Sequence, residues 1–111
     1  MEILVGRSAR DNDYLTLQVG KPNDFWLHVA PTSGCHVIVR NPENLSRLPK
    51  ATLREAAGLA VHHSKSRDGG RVAVHYTRRK FVSKRRGAPA GQVQLKRYDT
   101  VRASARDRPG D

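Results

Sequence analysis

Apolar and polar positions alternate most cleanly between Asn23 and Arg40, and the rest of the chain is read around this stretch. Phe25, Leu27 and Val29 fall on one side of an extended segment, and Trp26 and His28 fall on the other. Val37, Ile38 and Val39 follow as the unbroken β-branched run of a buried strand. Pro31, Thr32, Ser33 and Gly34 supply turn chemistry between them, so the pattern predicts a hairpin. Trp26 faces away from Phe25 and Leu27 and is expected to be partly exposed. Asn41-Pro42 ends the second strand, because the residue before a proline is pushed out of regular helix and into turns.

On either side the pattern changes period. Ile3, Leu4 and Val5 make a short apolar strand. Asp11, Asn12 and Asp13 are good helix-capping residues and predict a helix start. Tyr14 to Val19 fits neither period cleanly; a short helix ended by Gly20 is favoured, and the alternation of Leu15, Leu17 and Val19 is the case for a strand. From Pro49 to Ser66, residues Leu53, Ala56, Ala57, Ala60, Val61 and Ser64 repeat at helical spacing. Pro49 suits the first turn of that helix, Thr52 and Glu55 form a candidate capping box, and Asp68-Gly69-Gly70 is read as its stop. Arg71 to Thr77 reads as a strand with Val72 and Val74 inward, Gly87 to Gly91 as a loop, and Gln92 to Lys96 and Thr100 to Arg102 as short strands. The fold class is α+β: a small mixed β-sheet of about five to six short strands packed against one long helix and one short helix. Residues 1–102 are taken as one domain and residues 103–111, polar and charged, as a disordered tail.

Charge sharpens this outline. The 111 residues carry a net +11, unevenly placed. Residues 1–61 hold seven Lys or Arg against six Asp or Glu; residues 62–111 hold fourteen against four. Such asymmetry points to a polyanionic partner. Between Lys65 and Arg86 there are nine basic residues and one acid, Asp68. Arg78, Arg79, Lys80, Lys84, Arg85, Arg86 and Lys65 are the candidate phosphate contacts, since Arg forks bind phosphate in two places and Lys supplies a point charge. Tyr76 and Phe81 lie inside the run, where an aromatic ring stacks on an unpaired base or packs into the core; Phe81 is read as the core member. No basic amphipathic helix with bulky exposed apolar residues is visible, and no run is apolar enough to span a bilayer, so no membrane partner is expected. A cytoplasmic location follows as the default.

Catalytic and metal chemistry find less support. The single Cys35 excludes an internal disulfide and any multi-cysteine metal cluster. No two of His28, His36, His62, His63 and His75 have the spacing of a zinc-binding helix, so neither a metal nor another cofactor is expected. Cys35 beside His36 offers a nucleophilic alternative, against which a lone Cys opening an apolar strand is ordinarily a small buried residue. Gly69-Gly70 lacks the spacing of a phosphate loop.

Asp24-x-Trp26-x-His28 followed by Gly34-x-His36-Val37 resembles the signature of the NFACT-R domain, the RNA-binding module of the NFACT proteins, which also occurs in bacteria as a short stand-alone chain. The likeness extends through Gly6-Arg7 with Asn12-Asp13-Tyr14-Leu15-Thr16, Leu48-Pro49 with Glu55-Ala56-Ala57, Val74 to Val82, and Gly87 to Val93. It implies an α+β RNA-binding domain that acts on tRNA or ribosomal RNA, in ribosome-associated quality control or translation, with the large ribosomal subunit as a further partner and no catalysis of its own. Asp24, Trp26, His28 and His36 would then shape a pocket beside the basic run, with Asp24 orienting a His or capping the loop. Cys35 departs from the Ser expected between the Gly and the His. The competing reading is an enzyme, or an enzyme accessory, in tRNA modification that uses Cys35 and a neighbouring His.

Overall fold

Strand β2 (Phe25–Val29) sits near the middle of a five-stranded sheet in the computed structural model, which describes residues 1–29 and 34–110. It pairs on one side with β3 (Val37–Val39), Phe25 opposite Val39, and on the other with β4 (Val72–Arg78), His28 opposite His75. Strand β1 (Ile3–Val5) extends the sheet beyond β3, and β7 (Asp99–Ala103) extends it beyond β4. The expected α+β class holds, but every pairing in the sheet is antiparallel where a mixed sheet was expected. The predicted turn at Pro31, Thr32 and Ser33 lies outside the described residues.

The alternation along β2 sends its side chains to two different cores. Phe25, Leu27 and Val29 join Val37, Val39 and Val74 against helix α2 (Lys50–His62), which contributes Ala56, Ala57, Ala60 and Val61. Small residues on that helix let its backbone approach the sheet, and burial of this apolar surface is the main stabilising term of the fold. Trp26 faces the opposite side with Ile38, Leu15 and Val82. That second face is covered by α1 (Ala9–Tyr14), the π-helical turn Leu15–Val19 that continues it, and a two-stranded ribbon of β5 (Val82–Ser83) and β6 (Gln94–Leu95).

The short helix arrives earlier than its acidic cluster suggests. Ser8 is the N-cap, its hydroxyl accepting from the Asp11 amide at 3.0 Å, so Asp11 and Asn12 lie inside the helix. The ambiguous stretch after Tyr14 is helical, as favoured, but wound as a π turn that Gly20 closes by donating to the Leu15 carbonyl. Helix α2 starts at Lys50 with Pro49 as its cap, and no side-chain capping bond from Thr52 is present. It ends at His62, before the Asp68-Gly69-Gly70 stop; the hydroxyl of buried Ser64 bonds back to the Val61 carbonyl at 2.7 Å and ends the helix there.

The expected tail is the largest departure. Ala103 is the buried end of β7, and residues 105–107 form a 3-10 turn capped by a reciprocal Ser104–Asp107 pair. Polarity suggested disorder, yet the segment needs only small residues to dock on α2, and it docks where Gly58 leaves room. A Cβ on Gly58 would stand 2.4 Å from the Arg108 amide nitrogen. Gly58→Ala should therefore cost about 1–3 kcal/mol by overpacking, roughly 5–15 °C in melting temperature at this chain size. In a chain truncated after Ser104 the same substitution should cost nothing; an equal cost in both chains, measured by thermal melting, would show that the 105–108 segment does not rest on Gly58.

Candidate nucleic-acid interface

Three of the four pocket residues expected from the hairpin turn out to be internal supports. Asp24 is buried, and its hydrogen bonds among the described residues go to groups other than histidine. Its carboxylate accepts from the Lys21 amide at 2.9 Å, the Asn41 amide at 2.9 Å and the Arg40 guanidinium at 3.0 Å. Of the two roles expected for it, it fills the loop-capping one. Trp26 is 1% exposed, against the expectation of partial exposure, because the π turn and the β5–β6 ribbon cover the face it points to. Its indole donates to the Thr16 hydroxyl at 3.1 Å. His36 is fully buried, with Nδ1 2.8 Å from that same hydroxyl. The indole can only donate, so Thr16 accepts from it and has its own proton for His36 Nδ1. His36 Nε2 has no hydrogen-bond partner among the described residues. Burial, and then the neighbouring His28, push the His36 pKa down to about 4, so the ring is neutral at pH 7.

His28 is the member that reaches a surface. It lies 5.3 Å from His36 and 5.8 Å from Trp26 between ring centroids, and it lines a cavity of about 1000 Å³ between α1, the 90–95 segment, the residues that follow α2 and the middle of β2 and β4. Trp26 forms part of the cavity floor. His63, Lys65, His75 and Tyr98 are on its walls. Burial lowers the pKa of His28, His63 and His75, with His75 as a second cause for His28 and Arg7 for His63. Cys35 also borders the cavity but is 3% exposed within the α2-side core. Burial raises its thiol to about 11, so little thiolate exists at neutral pH. Among the described residues no three of His, Cys, Asp and Glu are grouped to hold a metal.

The basic run divides into two sets. Arg79 is turned inward: its Nε donates to the Thr16 carbonyl and its Nη1 to the Val82 carbonyl at 2.9 Å, and burial lowers its pKa. Lys84 bonds the Pro89 carbonyl at 2.6 Å and pairs with Asp13 at 3.1 Å. Arg78 lies between these cases, donating to the Leu45 carbonyl at 2.6 Å while its guanidinium stands 5.0 Å from the Phe25 ring centroid. Lys80, Arg85, Arg86 and Lys65 are exposed.

A groove of about 810 Å³ gathers residues that lie far apart in the sequence. Arg78, Tyr76 and Phe81 line it together with Arg47, Lys50, Arg97 and Tyr98. Phe81, expected in the core, is half-buried instead, with Lys80 and Arg97 each 5.4 Å from its ring centroid. Asp99 is the one carboxylate among the described residues of the groove. Arg97 and Tyr98 escape the sequence pattern because Lys96-Arg97-Tyr98 sits between two weak strand signals; the tripeptide repeats the basic-aromatic mixture of residues 78–81 and was legible on that ground.

The fold defines a small α+β domain with one five-stranded antiparallel sheet, a helix on one face and a groove and a cleft open to solvent. The chain belongs to the NFACT protein RNA binding domain family, whose model matches residues 1–97. It is 39% identical over 101 residues to the Rqc2 homolog RqcH of Bacillus subtilis, a match covering 91% of this chain and 17% of the relative. The RqcH of Streptococcus suis is 31% identical over 92% of this chain and 18% of its own length. The chain thus spans under a fifth of these curated relatives. Among solved structures, the C-terminal part of the fibronectin/fibrinogen-binding protein from Streptococcus suis superposes with a TM-score of 0.85 at 29% identity, over 92% of this chain and 40% of that one.

The His36 cluster makes a pH prediction. Below its ordinary pKa of 6.5 the unfolded chain takes up a proton at His36, while the folded chain does not until about pH 4. Its contribution is therefore fully present above pH 6.5 and declines as pH falls towards 4, by about 3 kcal/mol in all. His36→Asn keeps an acceptor for Thr16 and lacks the titrating ring, so its stability should fall less over the same interval. Urea denaturation of both chains at several pH values between about 7 and about 4 measures the difference; parallel declines would remove His36 as the cause.

Proposed function

We propose that this chain is an RNA-binding domain that works in ribosome-associated quality control in the cytoplasm, with tRNA or ribosomal RNA on the large subunit as its target and no catalysis of its own. The groove carries this reading. Four cations, Arg47, Lys50, Arg78 and Arg97, line it with the rings of Tyr76, Phe81 and Tyr98 and the buried Phe25, against one carboxylate among its described residues, Asp99. Cations hold the phosphates of a strand and rings stack on its unpaired bases, the combination that sequence-tolerant single-strand binding uses. Exposed Lys80, Arg85, Arg86 and Lys65 widen the positive field around it. The family model is described as RNA binding, and a 28% identical relative in Drosophila melanogaster is named a ribosome quality control complex subunit NEMF homolog. Among the described residues no helix is long and apolar enough to cross a membrane.

The inward set takes a different role. Arg79 and Lys84 hold the 3-10 turn Arg79–Phe81 and the 87–91 loop in place, so their removal disturbs the surface rather than a single phosphate contact. The thiol alternative has a buried, protonated Cys35 against it.

Binding of tRNA, ribosomal RNA fragments and duplex DNA across a salt series tests the reading. Lys80/Arg85/Arg86→Ala should weaken RNA binding and reduce the slope of log K against log salt by about 2, since each phosphate neutralised on a single strand adds about 0.7 to that slope. Arg97→Ala should weaken it further with the melting temperature unchanged. If all three nucleic acids bind alike and the triple variant binds as the native chain does, the reading fails.

A further inference from the structure

The cleft that holds His28 differs in chemistry from the groove beside it. Among its described residues there is no carboxylate, and its cations, Arg7 and Lys65, are exposed side chains. Its walls are instead rings and small polar groups: His28, His63 and His75, with the Trp26 floor. Tyr98 is shared with the groove, so the two concavities meet at one side chain. That ring is 52% exposed and stacks on His75, centroids 4.2 Å apart and 34° between planes. A strand leaving the cationic groove therefore passes over an exposed aromatic platform before it reaches the cleft.

We propose that the cleft receives an unpaired nucleobase of the bound RNA strand, stacked on the face of Tyr98 that His75 leaves free and read at its polar edge by His28, with Arg7 and Lys65 on the flanking phosphates. This rests on the RNA-binding reading and assigns the cleft its occupant. The volume of about 1000 Å³ lies at the top of the range for ligand pockets, about 300–1,000 Å³, which leaves room for a base with its sugar. Burial lowers the pKa of His28, which favours its uncharged form, and a neutral imidazole presents one donor and one acceptor. That is the complement of a base edge; a phosphate oxygen needs donors alone. The ring behind the floor, His36, is neutral too and adds no charge that would favour an anion there. Trp26 is the only tryptophan, so its emission reports on the cleft directly.

The experiment compares a short single-stranded RNA, the same strand with abasic residues in its centre, and AMP. Affinity is read by anisotropy and cleft occupancy by Trp26 emission. The native chain should bind the abasic strand about tenfold more weakly, the scale of one stacked base, and only the base-containing strand should change Trp26 emission. Tyr98→Ala and His75→Ala should close that gap by weakening the base-containing strand alone. Tyr98→Phe should preserve it, and the exposed Tyr98 makes this pair informative even where His75→Ala lowers the melting temperature. Equal binding of intact and abasic strands, still sensitive to salt, would overturn the cleft assignment and leave the RNA reading standing. Absence of binding to either strand would overturn both. AMP bound as tightly as the strand would make the occupant a free nucleotide and overturn the assignment to RNA.

Discussion

A single buried hydroxyl holds two aromatic rings that the fold cannot leave unbonded. Thr16 accepts from the Trp26 indole and stands 2.8 Å from His36 Nδ1, with all three side chains out of water. An unsatisfied buried polar group costs about 1–3 kcal/mol, so losing this hydroxyl orphans two groups at once. One helical turn earlier, Asn12 does the same for backbone. Its amide donates to the Gly34 carbonyl at 2.9 Å and its oxygen accepts from the His36 amide at 2.9 Å, replacing the ladder partner that the chain entering β3 lacks. Gly6 is required beside it, since a Cβ there would stand 2.4 Å from the Asn12 side-chain oxygen. The α1 and π-turn segment is thus fixed to the sheet through polar bonds, and the apolar contacts of Leu15 with Trp26 and Ile38 close around them.

This explains why the most conspicuous sequence motif misled in part. Asp24, Trp26, His28 and His36 look like a binding constellation because polar and aromatic residues at short spacing are rare in a strand. Alternation correctly assigned Trp26 to the face opposite Phe25 and Leu27, but alternation says nothing of what covers a face. The cover comes from Leu15 and Val82, one in a segment whose period was ambiguous and one far along the chain. The faces of β2 and β4, the buried run of β3 and the alanine face of α2 were legible, since each rests on local periodicity. The ordered 103–107 segment was not. Its docking depends on the absence of a side chain at Gly58, a long-range fact that local polarity hides.

The same distinction separates the basic residues. Charge density predicted a polyanion surface, and density does not say which side chains are already engaged. Arg79 and Lys84 donate to backbone carbonyls of the surface they sit in. Arg97, distant in sequence, faces the ring of Phe81 from within the groove. Cation–π contact of this kind holds a guanidinium in place while leaving its donors directed outward. A surface built this way has its cationic groups oriented in advance, which would lower the ordering cost of the strand binding proposed above.

Asp13 links the cleft to the hydrogen-bonded core. Its carboxylate accepts from the Gly91 amide at 2.9 Å and pairs with Lys84 at 3.1 Å, while Lys84 also bonds the Pro89 and Gln92 carbonyls. Gly91 has a φ of +83° and packs against Ala9, a position and conformation that favour glycine. The 89–92 loop is therefore clamped onto α1, and α1 is itself anchored to the sheet by Asn12 and Thr16. Ala90, Gly91 and Gln92 form one wall of the cleft, so its width is set by this clamp rather than by the residues that face the cavity. Asn12, Asp13 and Thr16 of this stretch thus act as supports: Asn12 and Thr16 hold the helical segment to the sheet, and Asp13 holds the loop to the helix. A wall fixed by a partly buried ion pair and a backbone bond holds the cleft's shape in the free protein, as the proposed entry of a base would require.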